Sequence, residues 1–323
     1  MTVPAGTYQT YQTIGNREDL TDVIYDISPM DTPVMSTIGR GKASNTLHEW
    51  QTDVLAPAAA NRQIEGDDAS ILTAVPTVRL QNYCQITSKA ISVSGTDRAM
   101  NPAGRADELS YQIAKRGKEL KRDMEYAITQ NQASSAGSAS VARSSAGMES
   151  WLSSNRTSVG TGTAQSTPGF SGGTVASPTD STVAGTLTET ALKLVLQSVY
   201  TSGGDPKLIV VGAGTKQKMS TFTGIATQYR ENSGVKQATI LAAAAVYVSD
   251  FGELRIEPDR FSRDRTALIL DTEYWAVSYL RPMQQFELAK TGDSDKRQML
   301  CEWALESRNQ AASGKVSDIN SAL

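Results

Sequence analysis

Histidine is nearly missing from this sequence. His48 is the single one among 323 residues, so any catalytic triad, dyad or multi-histidine metal site would have to be built on it. It stands in an alternating stretch beside Trp50 and reads as a packing or hydrogen-bonding residue. Cysteine is almost as scarce: Cys84 and Cys301 are too few for a disulfide framework, and neither belongs to a Cys-x-x-Cys or Cys/His cluster with metal-ligand spacing. They read as two structural thiols of a reducing compartment. Long apolar runs are lacking too, since the longest, Ile240 to Val248, falls far short of the ~20 residues that span a bilayer. The opening residues, Met1-Thr2-Val3-Pro4-Ala5-Gly6-Thr7-Tyr8, have neither a basic leader nor an apolar core, so no secretory signal is expected. Nor is there an excess of positive charge: a formal net charge of -3 argues against a general nucleic-acid binder and confines any DNA contact to a local patch.

What remains is ordinary for a soluble globular protein, with 39% hydrophobic and 20% charged residues, and the length leaves room for two compact domains. The most regular stretch is a long charged helix over 101–132. Leu109, Ile113, Gly117, Leu120, Met124 and Ile128 recur at steps of three and four and draw one narrow apolar stripe along it. Pro102 suits a first turn, Asp107 and Glu108 suit the positive end of the helix dipole, and Lys115/Glu119 and Lys121/Glu125 have four-residue ion-pair spacing. Such a helix would span about 45 Å at 1.5 Å per residue, longer than a small core needs, and reads as a spine. Lys115, Arg116, Lys118, Lys121 and Arg122 concentrate positive charge on it. That cluster could meet nucleic-acid phosphates or the acidic arms of neighbours, or be a solvated face balanced by Glu119, Asp123 and Glu125.

Taken in order, residues 1–40 are polar and turn-rich, with a helical turn at Leu20, Val23, Ile24 and Ile27 and breaks at Ser28-Pro29 and Thr32-Pro33, and read as an arm rather than a core. Strands are expected at 46–53, at 77–87 and at 90–93, the first two joined through an irregular polar stretch as a long hairpin. With fifteen to twenty residues per arm it would reach roughly 50 to 65 Å, and its most economical partner is another copy of the chain. Residues 134–186 are rich in Ser, Thr, Gly and Pro and lack the apolar surface to order themselves, apart from an anchoring turn at Met148 to Leu152. An α/β region follows from Leu187: a helix over 189–200, a buried strand at 208–211, a helix opening near Lys216, and a strand ending at Val248. Strands at 266–270, 275–280, 285–289 and 298–306 close the pattern, the final two joined through Thr291 to Asp295 as a hairpin beside the spine.

Motifs for chemistry are weak. Val210-Val211-Gly212-Ala213-Gly214-Thr215-Lys216 is strand, glycine turn and helix. It lacks the spacing of a phosphate loop and has Gln217 where a dinucleotide fingerprint needs its third glycine, so a tight connection is the better reading. Asp250-Phe251-Gly252 has no catalytic loop to accompany it. Asp259, Asp264 and Asp271 near Arg255, Arg260, Arg263 and Arg265 read as surface or interface salt bridging. No catalytic residue, cofactor site or metal ligand is assigned.

The order of parts, together with several segments, resembles the Hong-Kong-97-type fold of tailed-phage major capsid proteins. The segments are Ile27-Ser28-Pro29-Met30-Asp31-Thr32-Pro33, Leu47-His48-Glu49-Trp50-Gln51-Thr52-Asp53, Ala103-Gly104-Arg105-Ala106-Asp107-Glu108-Leu109, Glu119-Leu120-Lys121-Arg122-Asp123, Ala289-Lys290-Thr291-Gly292-Asp293-Ser294 and Glu306-Ser307-Arg308-Asn309. The resemblance implies an α+β chain with an N-terminal arm (1–40), an extended loop (41–95), a peripheral domain (96–186) holding the spine helix, an axial domain (187–255), and strands returning over 256–323 to a C-terminal tail. It implies a non-enzymatic subunit of an icosahedral virion, assembled in the bacterial cytoplasm into hexamers and pentamers. Portal, scaffolding and decoration proteins would be its partners, with weak contact to packaged DNA and none with a membrane. A cellular nanocompartment shell and a nucleotide-binding α/β enzyme are the alternatives. The implied assembly interface takes in His48, Glu49, Trp50, Asp53, Arg62, Glu65, Asp67 and Asp68. Some relatives cross-link through a lysine of the extended loop, but residues 43–88 contain none.

Overall fold

The computed structural model describes residues 31–68, 71, 73–100, 107–222 and 246–321. In chain order the elements are α1 (Pro33–Thr37), β1 (Gly39–Lys42), β2 (Leu47–Thr52), β3 (Val78–Tyr83), β4 (Gln85–Ser94), α2 (Gly95–Ala99), α3 (Glu108–Thr129) and α4 (Met148–Trp151). There follow β5 (Arg156–Ser158), β6 (Phe170–Ser171), β7 (Thr174–Val175), α5 (Glu189–Thr201), β8 (Leu208–Val211), α6 (Ala213–Met219), β9 (Val246–Ser249) and β10 (Gly252–Pro258). The last four are β11 (Ala267–Leu270), β12 (Trp275–Glu287), β13 (Ser294–Ser307) and β14 (Gly314–Ser317).

The spine helix is α3, which contains the whole apolar stripe but, among the described residues, falls short of the expected 101–132. Asp107 is extended and caps it, accepting from Ser110 N at 3.0 Å, and Gln130 is extended again at the other end. Its 22 residues span about 33 Å at 1.5 Å each. Pro102 lies outside the described residues. Leu109, Leu120, Met124 and Ile128 are buried as the stripe requires, joined by Ala127. Glu125 breaks the pattern: instead of pairing with Lys121 it is fully buried and accepts from the backbone N–H groups of Val34 (2.7 Å) and Met35 (2.9 Å). It thus satisfies the open amino end of α1. Burial pushes the Glu125 carboxyl up to about 7. Through this contact Val34 and Ile38 enter the core, so residues 33–38 are packed structure where an arm was expected. The turn at Leu20 to Ile27 lies outside the described residues.

α3 lies on a four-stranded sheet of order β1-β12-β13-β4, and a six-stranded sheet of order β5-β14-β11-β8-β10-β9 forms the second layer. The two C-terminal strands expected at 275–280 and 285–289 are one strand, β12, which passes Pro282 through register shifts on either side of Arg281. Cys301, Trp303 and Leu305 of β13 join Leu120, Met124, Ile128, Trp151, Trp275 and Val277 in a first core. A second core gathers Leu192, Val195 and Leu196 of α5 with Ile209, Val211, Ile269 and Val316. Alternate residues of β8 and β11 serve the two cores: Leu208, Val210, Leu268 and Leu270 face the first, Ile209, Val211 and Ile269 the second. β14, in the stretch expected to be a tail, is a buried inner strand between β5 and β11. A Cβ on Gly314 would fall 2.5 Å from Val195 Cγ1, so only glycine lets α5 approach this strand. β9 is the strand expected before the Ser249 turn, and residues 239–245 of that expectation lie outside the described ones.

Candidate functional site

The hairpin is the first candidate surface. β2 and β3 pair antiparallel from Leu47↔Tyr83 to Thr52↔Val78, six residues per strand. That is a ribbon of about 20 Å, not the expected 50 to 65 Å. Its base packs against its own chain rather than waiting for another copy. His48 Nε2 lies 3.2 Å from Glu306 Oε2, and Trp50 donates its indole N–H to Ser307 O at 2.8 Å. Asn82 donates to Leu305 O (2.7 Å) and accepts from Ala146 N (3.0 Å), and Gln81 donates to Gly173 O (2.6 Å). The rings of His48, Trp50, Trp151 and Phe170 form a ladder with centroid spacings of 5.5, 5.5 and 5.8 Å. Of the assembly residues read from the sequence, His48 and Trp50 are therefore engaged inside the subunit.

Glu306 is the electrostatic centre of this joint. Its carboxyl is held down from 4.5 to about 2, first by the hydrogen bond with His48, then by those with Ser278 and Arg308. A carboxyl depressed in the folded state contributes stability that is fully present above 4.5 and is lost as the pH falls toward about 2. Urea midpoints of the unassembled subunit and Glu306→Gln are therefore expected to differ at neutral pH and to converge across that acid interval. A difference that persists unchanged at the acid end would rule the assignment out.

Beyond the base, Glu49 pairs loosely with Arg79 at 3.5 Å and Asp53 turns back on Val54 N at 2.9 Å. Arg62, Glu65, Asp67 and Asp68 are exposed on the tip, where Gly66 (φ 84) supplies the left-handed residue of a turn closed by Asp67 N to Ile64 O at 3.2 Å. The same tip exposes Val54, Leu55, Ile64, Ile71 and Val75, with Leu55 at 92% and Ile71 at 97%. Apolar side chains so fully open to water, on a segment without regular structure among the described residues, have no seat within this subunit.

The charged face of α3 divides in two. Arg116 is tied to Glu119 (2.6 Å) and the Arg122 guanidinium lies 5.9 Å from the centre of the Phe261 ring, while Lys115, Lys118 and Lys121 are exposed. Glu119 is bonded by Arg116, and Lys89 reaches Asp123 at 2.8 Å, while the expected partner Lys115 acts on Glu119 only from beyond ion-pair distance.

Sequence reasoning missed the joint that orders residues 134–186. Glu149 is fully buried and takes Arg263 Nη1 at 2.9 Å, while Gln165 Nε2 and Thr266 Oγ1 donate to its other oxygen at 2.7 and 2.9 Å. Arg263 also bonds Asp180, and Lys315, its ammonium pushed down to about 8 by burial, donates to Glu149 O at 2.8 Å. Asp318, held at a positive φ of 60°, accepts from Ser181 N (2.7 Å), Gln165 N (3.0 Å) and Ser158 Oγ (2.5 Å). Buried charge joins the apolar anchors Met148, Trp151, Leu152 and Val175 in ordering the insert, and Asp259 is interior and Arg263 largely enclosed where surface salt bridging was expected. The Gly212 turn is a tight connection, and a carboxylate stands where an anion would bind: Asp264 Oδ1 accepts from Gly214 N at 3.3 Å, and a Cβ on Gly212 would fall 1.9 Å from it.

A helix laid on a four-stranded sheet, a second sheet sharing its core and a projecting hairpin define a Hong-Kong-97-type phage capsid fold. Over 96% of this chain and 98% of theirs, the structure is similar to the cyanophage A-1(L) capsid asymmetric unit (TM-score 0.67, 12% identity) and to the capsid of a native GTA particle (TM-score 0.62, 12% identity). A structure from Microbacterium phage Oxtober96 is similar at TM-score 0.59 and 10% identity, over 94% of this chain and 95% of that one. The match extends to sequence: the chain belongs to the SU10 major capsid protein family, which it matches over residues 5–320. It is 37% identical over 127 residues to the major capsid protein of Escherichia phage Phieco32, and this match spans 36% of that relative's length.

Proposed function

We propose that this chain is the shell-forming subunit of a phage head, assembling with copies of itself into hexamers and pentamers that enclose double-stranded DNA. The observation that carries this reading is the hairpin tip, whose exposed Val54, Leu55, Ile64, Ile71 and Val75 call for a neighbouring surface. The base of the hairpin is clamped on its own subunit, and the tip extends beyond it, exposed. The work is mechanical, and no catalytic or cofactor role is assigned to any residue. In this reading the residues before Pro33 form an arm, the β2–β3 hairpin with its tip (47–83) the extended loop, 96–186 the peripheral domain and 187–255 the axial domain, with 256–323 returning through both. Portal, scaffolding and decoration proteins are the further partners, and assembly takes place in the host cytoplasm.

Purified chain is expected to sediment as particles or capsomers as its concentration rises, with closed shells under electron microscopy, and Leu55→Asp with Ile71→Asp to leave soluble, folded subunits. A wild-type chain that stays monomeric or dimeric at high concentration would overturn the proposal.

A further inference from the structure

The carboxylates of α3 are all engaged. Glu108 accepts from Gln112 at 2.7 Å, Glu119 holds Arg116, Asp123 holds Lys89, and Glu125 is buried against α1. What the helix leaves free is positive. Lys115, Lys118 and Lys121 are exposed and form no ion pair or hydrogen bond among the described residues, Lys115 acting on the Glu119 carboxyl only from a distance. Their spacing of three places them along one side of the cylinder, away from the buried stripe.

Four other exposed basic side chains are in the same state, and three of them lie either at the end of this helix or on the far edge strand of the sheet it covers. Arg40 and Lys42 of β1 lie opposite Val277 and Tyr279 of β12, which pack in the core that α3 closes, so both project on the side of the sheet that α3 covers. Arg260 precedes Phe261, whose carbonyl accepts from Thr129 Oγ1 (3.3 Å) and Gln130 Nε2 (2.7 Å) at the end of α3. The fourth, Arg62, sits on the hairpin tip. Among the described residues, six of the seven exposed basic side chains without an ion-pair or hydrogen-bond partner thus lie on the α3 side of this sheet or at the end of α3.

Two partners could meet such a face: the acidic tip of a second copy, or a phosphate backbone. The tip brings Leu55 and Ile71, nearly fully exposed, and they require an apolar seat. The α3 face offers little beyond Ala114, Tyr126 and lysine stems. A polyphosphate strand asks only for charge.

Resting on the shell reading above, we propose that the α3 side of the four-stranded sheet, carrying Arg40, Lys42, Lys115, Lys118, Lys121 and Arg260, is the surface that meets the backbone of double-stranded DNA. It is therefore the face turned toward the interior of the particle. The contact reads no sequence, because all six groups are point or planar charges on a surface with no element to enter a groove.

The test is a triple variant, Lys115→Gln/Lys118→Gln/Lys121→Gln, in the full chain, measured for binding to a mixed-sequence DNA duplex over a range of salt. Its log-affinity against log-salt slope is expected to be shallower than wild type by about 2.7, at about 0.9 for each phosphate no longer neutralised. Arg62→Gln is expected to leave the slope alone, and the triple variant to form shells of wild-type size, since no exposed lysine of α3 supports the fold. An unchanged slope, or no measurable wild-type binding at low salt, overturns the proposal. So does a variant that loses shells together with affinity for a peptide of residues 53–77, because the face would then seat a neighbour's loop. Failure of the shell reading is separate: wild-type chain would form no particles, while the slopes would still report on this face.

Discussion

Arg263→Ala is expected to lower the stability of the unassembled subunit by about 3–5 kcal/mol, because it removes the cation that compensates a buried carboxylate. Glu149 is fully buried, and its Oε2 has Arg263 as its ion-pair partner at 2.9 Å. Losing the guanidinium also leaves Asp180 with Gln165 as its side-chain hydrogen-bond donor and so loosens the segment that the two residues tie together. The double change Arg263→Met/Glu149→Gln is expected to cost less than Arg263→Ala alone, because it removes both charges at once. Urea midpoints of the three proteins decide the matter. A single variant within about 1 kcal/mol of wild type would mean that water reaches Glu149 and that the insert is ordered by something else.

Trp151→Ala is the second large effect, at about 3–5 kcal/mol for a fully enclosed indole. Trp151 stands between Trp50 at 5.5 Å and Phe170 at 5.8 Å, so its loss empties the middle of the ladder that holds the hairpin base to the insert. Beyond the drop in stability, backbone amides of β2 and β3 are expected to exchange faster with deuterium, while those of β8 and β11 in the shared core change only with global unfolding. Trp50→Phe separates two contributions: it keeps a ring in the ladder but loses the 2.8 Å bond to Ser307 O, at a cost of about 1 kcal/mol. Equal exchange in β2–β3 and β8 after Trp151→Ala would show that the ladder does not set the local stability of the hairpin.

The parts of this fold legible in the sequence are those where one periodicity meets one face. α3, α5, β8 and the β12–β13 hairpin bury apolar residues at helical or alternating spacing, and their composition carries them. The failures share a cause in polar residues put to interior use. Glu125 sits four residues after Lys121, so it reads as half of a surface pair, and nothing local reveals that two N–H groups lie 91 and 90 positions away. The insert looks too poor in apolar residues to fold, but Glu149, Asp180, Arg263 and Asp318 fasten it from distant places in the chain. β14 holds Lys315 and two residues, Gly314 and Ser317, of weak strand preference, all buried, which no propensity scale assigns to the middle of a sheet. For the candidate surface, the sequence located the acidic tip and the basic cluster of α3. It did not show that His48 and Trp50 turn inward, or that Arg40, Lys42 and Arg260 extend the basic cluster.

The place of β14 governs when the subunit becomes complete. Residues 314–317 are synthesised after the other strands among the described residues, yet they take an inner position, with β11 on one side and β5 on the other. Until the ribosome has released them, β5 has no neighbour in that sheet, Asp318 has not fastened Gln165 and Ser181, and the insert lacks its anchor. A nascent or prematurely terminated chain therefore lacks the finished platform that aims its hairpin.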